Sequence, residues 1–264
     1  MKIINIAVVA AMLSMGSAAQ AQSTTSTQSS AMAYGGFSSP TNGYEDRYFE
    51  GVMVDKYLDN GLGVHFDAAA VQREQDGVYA AIGASYAVAS GVRVKGMFGG
   101  STDNRNILPQ YYGYGQVQIQ TGKSIVTPSL AYRHFRTGMT EYQPALDLAH
   151  YFSIAGDKGG YYSLQTRAAY AIHPGRNAPS FGAGITTVRN SGVSLGVYAE
   201  GGRLAYANLV DIGAPGVNSP FWAVRPSVGY RLNRTIEIVA RGEYSRNDFF
   251  STRGVLVGIK ARLD

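Results

Sequence analysis

The chain has 264 residues, no cysteine and a single tryptophan. Without cysteine there are no disulfides, no thiolate nucleophile and no cysteine-based metal site. A domain exported from the cytoplasm must then be held together by its backbone network. Long apolar runs are missing after the first fifteen residues, and nothing later approaches the ~18 consecutive apolar residues of a transmembrane helix. Charged residues are only 16% of the chain, and the net charge of +5 favours anionic partners weakly. No basic cluster is interleaved with aromatics, which excludes a nucleic-acid face. The acidic series of a Ca²⁺ loop is absent from STDN (101–104) and from NRND, and the Gly-rich GAGITTV opens no helix that could make a phosphate loop. No metal and no cofactor is expected.

What is abundant is glycine and tyrosine, 33 and 19 residues. The start is also distinctive. Met1 and Lys2 precede an apolar run, Ile3 to Met15, and then GSAAQA ending at Ala21. One positive charge, a short apolar stretch and an A-x-A ending predict a secretory signal peptide over residues 1–21. QSTTSTQSS (22–30) is a polar leader, and residues 31–264 form one β domain.

That domain is a succession of runs of about ten residues that alternate with period two. In TIEIVARGEY, Ile236, Ile238, Ala240, Gly242 and Tyr244 oppose Thr235, Glu237, Val239, Arg241 and Glu243. WAVRPSVGYRL, YYSLQTRAAYAI, EYQPALDLAHYF and GLGVHFDAAAV alternate in the same way, and helical spacing would scramble every one of these faces. Short turns at LDNG (58–61), ASG (89–91), TGK (121–123), AGDKG (155–159), RNSG (189–192) and LNR (232–234) take turns with more variable connections. The latter include STDNRNILPQ (101–110), HPGRN (173–177), RNDFF (246–250) and a long stretch from Ala207 to Pro220. Tight turns on one side and longer loops on the other are the layout of an outer-membrane β-barrel. The fold class expected is all-β, an antiparallel up-and-down transmembrane barrel. Counting back from the last run, GVLVGIKARLD (254–264), parity demands an ascending first strand, which AMAYGGFSS (31–39) supplies. The count becomes about 14, with 12 as the fallback. Pro128, Pro144 and Pro226 are expected at bulges or strand ends near a rim. VTPSLAYR (126–133) echoes VRPSVGYR (224–231), by hairpin duplication or by convergent strand grammar.

The polar face carries the candidate site. Arg93, Lys95, Arg133, Arg167, Arg225, Arg231 and Arg241 fall on it by alternation, with Lys260 and Arg262. Asp147, Glu237 and Glu243 share it, together with Asp67 and Glu200. Charges enclosed in a barrel persist only if paired or hydrated. They make either a bracing network or a cation-rich pore, since rings of charged side chains set selectivity. Tyr112, Tyr114, Gln116, Gln118 and Gln120 share one face of QYYGYGQVQIQ and suit sugar contacts or neutral filler.

The order of segments AYGGFSS, PSLAYRHF, YQPALDLAHYF, PSVGYRL and GIKARLD resembles the YaiO family of outer-membrane β-barrel proteins. The resemblance covers nearly all the mature chain. It implies a free-standing barrel; members of the family are associated with glycan or surface-polysaccharide systems, and no molecular activity follows from the resemblance. Gly258, Ala261 and Leu263 follow the spacing read by the barrel-assembly machinery, with Leu in place of the common aromatic and Asp264 after it.

Enzyme chemistry is weakly specified. His134 and His150 fall on the apolar face toward strand ends, where an interfacial belt explains them. His173 lies in a Pro-Gly turn, and His65 shares the lumen face with Asp67, which could orient its ring. The function expected is a non-enzymatic, porin-like transport barrel or envelope-glycan handling protein of the outer membrane. The alternatives are a structural or adhesive barrel presenting the 101–110 and 207–220 loops, and an interfacial lipid hydrolase. Expected partners are outer-membrane lipid, the assembly machinery and an anionic small solute or acidic glycan, with the chain a monomer.

Overall fold

A computed structural model describes residues 28–42, 46–72, 76–102, 108–136, 138–173, 176–205 and 218–263. The signal peptide expected over residues 1–21 and nearly all of the expected polar leader lie outside the described residues. Fourteen strands follow one another: β1 (Ser30–Pro40), β2 (Arg47–Tyr57), β3 (Leu62–Gln72), β4 (Gly77–Ala89), β5 (Val92–Ser101), β6 (Tyr111–Thr121) and β7 (Ser124–His134). The second half is β8 (Thr140–Ser153), β9 (Tyr161–His173), β10 (Arg176–Val188), β11 (Val193–Ala205), β12 (Asn218–Arg231), β13 (Ile236–Asn247) and β14 (Ser251–Arg262). Each pairs antiparallel with its sequence neighbours, and β1 pairs with β14, from Ser30↔Arg262 to Pro40↔Thr252, to close the barrel. Closure leaves no sheet edge, so each backbone group can find a partner without water.

Alternation decides the two surfaces. Side chains at the apolar positions point outward and are exposed to a degree no soluble protein tolerates over a whole wall: Ile82 62%, Phe98 63% and Phe181 65%. Aromatics gather at both ends of this belt. Toward the longer connections are Tyr48, Tyr142 and Trp222, with Tyr132 packed on Tyr142 at 5.2 Å and Trp222 on Tyr244 at 5.1 Å. Toward the tight turns are Tyr86, Phe152 and Tyr230. The histidines expected in the belt are there: His134 stacks on Tyr111 at 5.9 Å, and His150 packs on Phe152 at 4.5 Å. An apolar band between two aromatic girdles is the outside of an outer-membrane barrel, with the tight turns periplasmic. The protein is thus an outer-membrane β-barrel.

The inside is not empty. Leu108, from the connection after β5, packs among Phe49, Val71, Tyr79, Ala81, Tyr112, Ala131 and Leu256, and Pro109 beside it is fully buried. This apolar filling takes its residues from β1 to β7 and β14 and none from β8 to β13. The charged side chains of that remaining wall border the rest of the lumen. Residues 103–107 and 206–217, in the two long connections, lie outside the described residues.

Three expectations need correction. Pro128, Pro144 and Pro226 are neither at rims nor at bulges; they sit mid-strand on the lipid face. Each interrupts pairing on one side only, as between Val224↔Tyr244 and Ser227↔Arg241, and the register resumes unshifted. Proline lacks one donor, so only one of the two ladders at that residue loses a bond. HPGRN is not a long connection, because β9 runs through His173 and β10 starts at Arg176. His173 therefore ends a strand on the lumen side instead of lying in a turn. Finally, β7 and β12 run in opposite directions and are five strands apart. Duplicated hairpins shift strands by even steps, so the echo between 126–133 and 224–231 is strand grammar.

Candidate functional site

Within the lumen the predicted charges divide by height. At the external end, Arg133 in β7 stands opposite Glu141 in β8, and Arg133 Nη1 donates to Glu141 Oε1. Arg133 also donates to Gln143 Oε1 from Nη1 and Nη2, both at 3.2 Å. His173 Nε2 lies 2.7 Å from Glu141 Oε2, so one carboxylate stands between an arginine and a histidine from its two flanking strands. The Arg133, Glu141 and His173 side chains are all more than nine-tenths buried.

At mid-height the same pattern repeats. Asp147 in β8 faces Arg167 in β9, and Arg167 Nη1 donates to both carboxylate oxygens, at 3.0 and 2.9 Å. Arg225 in β12 bridges two carboxylates, donating from Nη1 to Glu200 at 2.9 Å and from Nε to Glu243 at 3.2 Å. Register produces these pairs: lumen-facing residues opposite or diagonal across neighbouring strands come within reach. A guanidinium fork suits that geometry.

Nearer the periplasm, on the β2–β5 wall, lies an array that alternation alone does not reveal. Asp55 in β2 is the register partner of His65 in β3, and His65 Nδ1 lies 2.5 Å from Asp55 Oδ1. A carboxylate only accepts, which places a ring proton on Nδ1, while Nε2 lies in hydrogen-bond contact with the Ser85 hydroxyl at 2.9 Å. Arg93 Nη1 donates to Ser85 Oγ at 3.2 Å and to the Gly61 carbonyl at 3.1 Å. Its guanidinium lies 5.2 Å from the Tyr57 ring centroid. The ring of His65 is therefore oriented by Asp55, not by Asp67. Lys95 is buried beside Asp55 and Asp67 on the same wall. His173, Asp55 and Ser85 belong to the lumen network without having been expected there; Glu141 shares the polar face of EYQPALDLAHYF by alternation, and its partners are what the structure adds.

The remaining predicted cations differ. Arg231, at the periplasmic end of β12, and Arg241, midway along β13, make no ion pair among the described residues. Arg262 at the end of β14 is in the same condition. Glu237 is the register partner of Arg231, and its Oε1 would stand 3.0 Å from a Cβ built on Gly229, up the strand from the mouth. What this arrangement leaves on the β12–β14 side of the lumen is guanidinium groups that make no ion pair among the described residues.

Fold and lumen together define a porin-like outer-membrane barrel. Comparisons with solved structures agree on the fold. A bacterial polysaccharide outer membrane secretin superposes with a TM-score of 0.58 at 8% identity, covering 90% of this chain and 99% of that one. The Acinetobacter baumannii outer membrane protein Omp33 gives 0.53 at 8% identity, covering 89% of this chain and 99% of that one. A KdgM porin gives 0.50 at 11% identity, covering 89% and 99%. No family model matches the chain, and no curated protein matches it.

Proposed function

We propose that the chain is a monomeric outer-membrane pore for anionic solutes, acidic glycan fragments among them, built on a YaiO-like barrel. One observation carries this reading: on the β8–β13 wall, which the apolar filling leaves uncovered, Arg231 and Arg241 have no carboxylate partner among the described residues. Solute passing that wall meets cations whose charge is not already spent on the protein. The barrel-assembly machinery inserts the chain by its last strand, and no bond-making chemistry is part of the role.

Planar-bilayer recording tests it. Reversal potential in a KCl gradient is expected to show anion preference, reduced in an Arg231→Gln/Arg241→Gln double variant. A barrel that inserts and never conducts defeats the pore reading.

A second reading, hydrolysis, is favoured by the Asp55–His65–Ser85 array alone. Against it, Ser85 is only 3% exposed and carries the Arg93 guanidinium on its hydroxyl, so no ester reaches it without rearrangement. Labelling by a fluorophosphonate probe, lost in Ser85→Ala, would revive it; no labelling leaves the array as a brace across β2, β3 and β4.

A further inference from the structure

We propose that the periplasmic mouth holds a binding site for a multivalent oxyanion, a phosphate- or pyrophosphate-bearing soluble solute, built around Arg231, Arg234 and Arg262. The inference deepens the pore reading by naming where its solute is first held.

Two turns and a strand end meet at this place. The β10–β11 turn, the β12–β13 turn and the end of β14 enclose a cavity of about 510 Å³, open to the periplasm. Its described lining holds the three arginines with Asn190, Asn233 and Thr235 among its polar groups, and neither a carboxylate nor an apolar side chain. None of the three arginines makes an ion pair among the described residues, and Arg231 Nε is buried with no hydrogen-bond partner there. Like charges this close repel unless water or a counter-anion intervenes.

The frame is set before any ligand arrives. Arg231 N–H donates to the Gly192 carbonyl at 2.9 Å, and Arg262 N–H to the Thr235 carbonyl at 2.8 Å. Asn233 Oδ1 accepts from Thr235 N–H, Thr235 Oγ1 and Ile236 N–H at 2.8, 2.9 and 2.8 Å, which fixes the turn. Among the described residues, the nearby carboxylates are turned elsewhere. Glu237 leans toward Gly229, and Asp157 accepts from Asn190 N–H at 3.3 Å and lies 3.8 Å from Arg189.

Ligand class follows from this chemistry. Several forked donors without an aromatic platform suit a compact, multiply charged oxyanion better than a sugar ring. Arg231 and Arg262 lie on the lumen face of their strands, so the anion comes from solution, not from a lipid headgroup.

The test is equilibrium dialysis of labelled inorganic pyrophosphate against the full chain in phosphatidylcholine nanodiscs. Saturable binding is expected, weakened about tenfold or more in Arg231→Gln/Arg262→Gln, a loss of charge-assisted hydrogen bonds. Lys123→Gln, which removes the same charge at another periplasmic turn, should leave binding as it is. A heat-modifiable gel shift equal to wild type establishes that the double variant is folded. Absent saturation, or binding that survives the double variant, overturns the site. Loss of pyrophosphate binding in phosphatidylglycerol nanodiscs overturns the soluble-solute assignment in favour of lipid phosphate. Binding needs no conduction, so a barrel that binds and never conducts defeats the pore alone, and one that conducts without binding defeats this site alone.

Discussion

Arg133 and Arg231 end two nearly identical segments, VTPSLAYR and VRPSVGYR, yet the barrel treats them differently. Because β7 ascends and β12 descends, the first arginine reaches the external end and the second the periplasmic mouth. Arg133 is buried and held by Glu141 and Gln143; Arg231 has no acidic partner among the described residues. The difference follows water. A guanidinium shut away from solvent is costly unless a carboxylate compensates it, whereas one at an open mouth is hydrated without help. For these two arginines, charge that serves stability and charge left without an ion pair stand at opposite ends of the barrel, though both occupy the same face of the same kind of strand.

The comparison can be broken at several points. The largest effect is expected from Glu141→Ala, which strands Arg133 and His173 together; loss of about 3–5 kcal/mol should lower the urea midpoint followed by gel mobility. Next comes Ala240→Arg, which puts a guanidinium through the wall into lipid near mid-strand, where neither partner nor water exists. It should destabilise by about 2–4 kcal/mol in the same assay. Arg225→Gln should cost about 1.5–3 kcal/mol by leaving Glu200 and Glu243 facing each other, and should shift reversal potential toward cations. The smallest stability change is expected for Arg231→Gln, within about 0.5 kcal/mol. That variant should nevertheless lower anion preference. Equal destabilisation by the Arg225 and Arg231 variants would show that both arginines are structural.

Much of this was legible without coordinates. Period-two alternation assigns Ile259 to lipid and Lys260 to the lumen, and the parity of short and long connections requires an even count that AMAYGGFSS completes. Fourteen strands follow from those two rules. Partners across strands were harder to read, because they depend on register and hence on the conformation of each turn. The Asp55–His65 pair was within reach: a tight LDNG turn that sets Tyr57 against Gly63 also sets Asp55 against His65. Glu141 and His173 were not, since their approach depends on β9 reaching His173, the residue just before Pro-Gly, where the sequence reads as a turn. The filling by Leu108 leaves no periodic trace at all, as it comes from a connection whose apolar residues have no strand neighbours to alternate with.

The seam between β1 and β14 has a consequence for how the barrel is made. Its two strands come from opposite ends of the barrel domain, so the last ladder waits until β14 has been synthesised and exported. Until Thr252 and its successors arrive, thirteen strands curl with two bare rims, the state most prone to pair with a second unfinished copy. A chain cut before β14 should therefore fail by association between molecules rather than by simple loss of stability. The escort that prevents this must shield two edges at once.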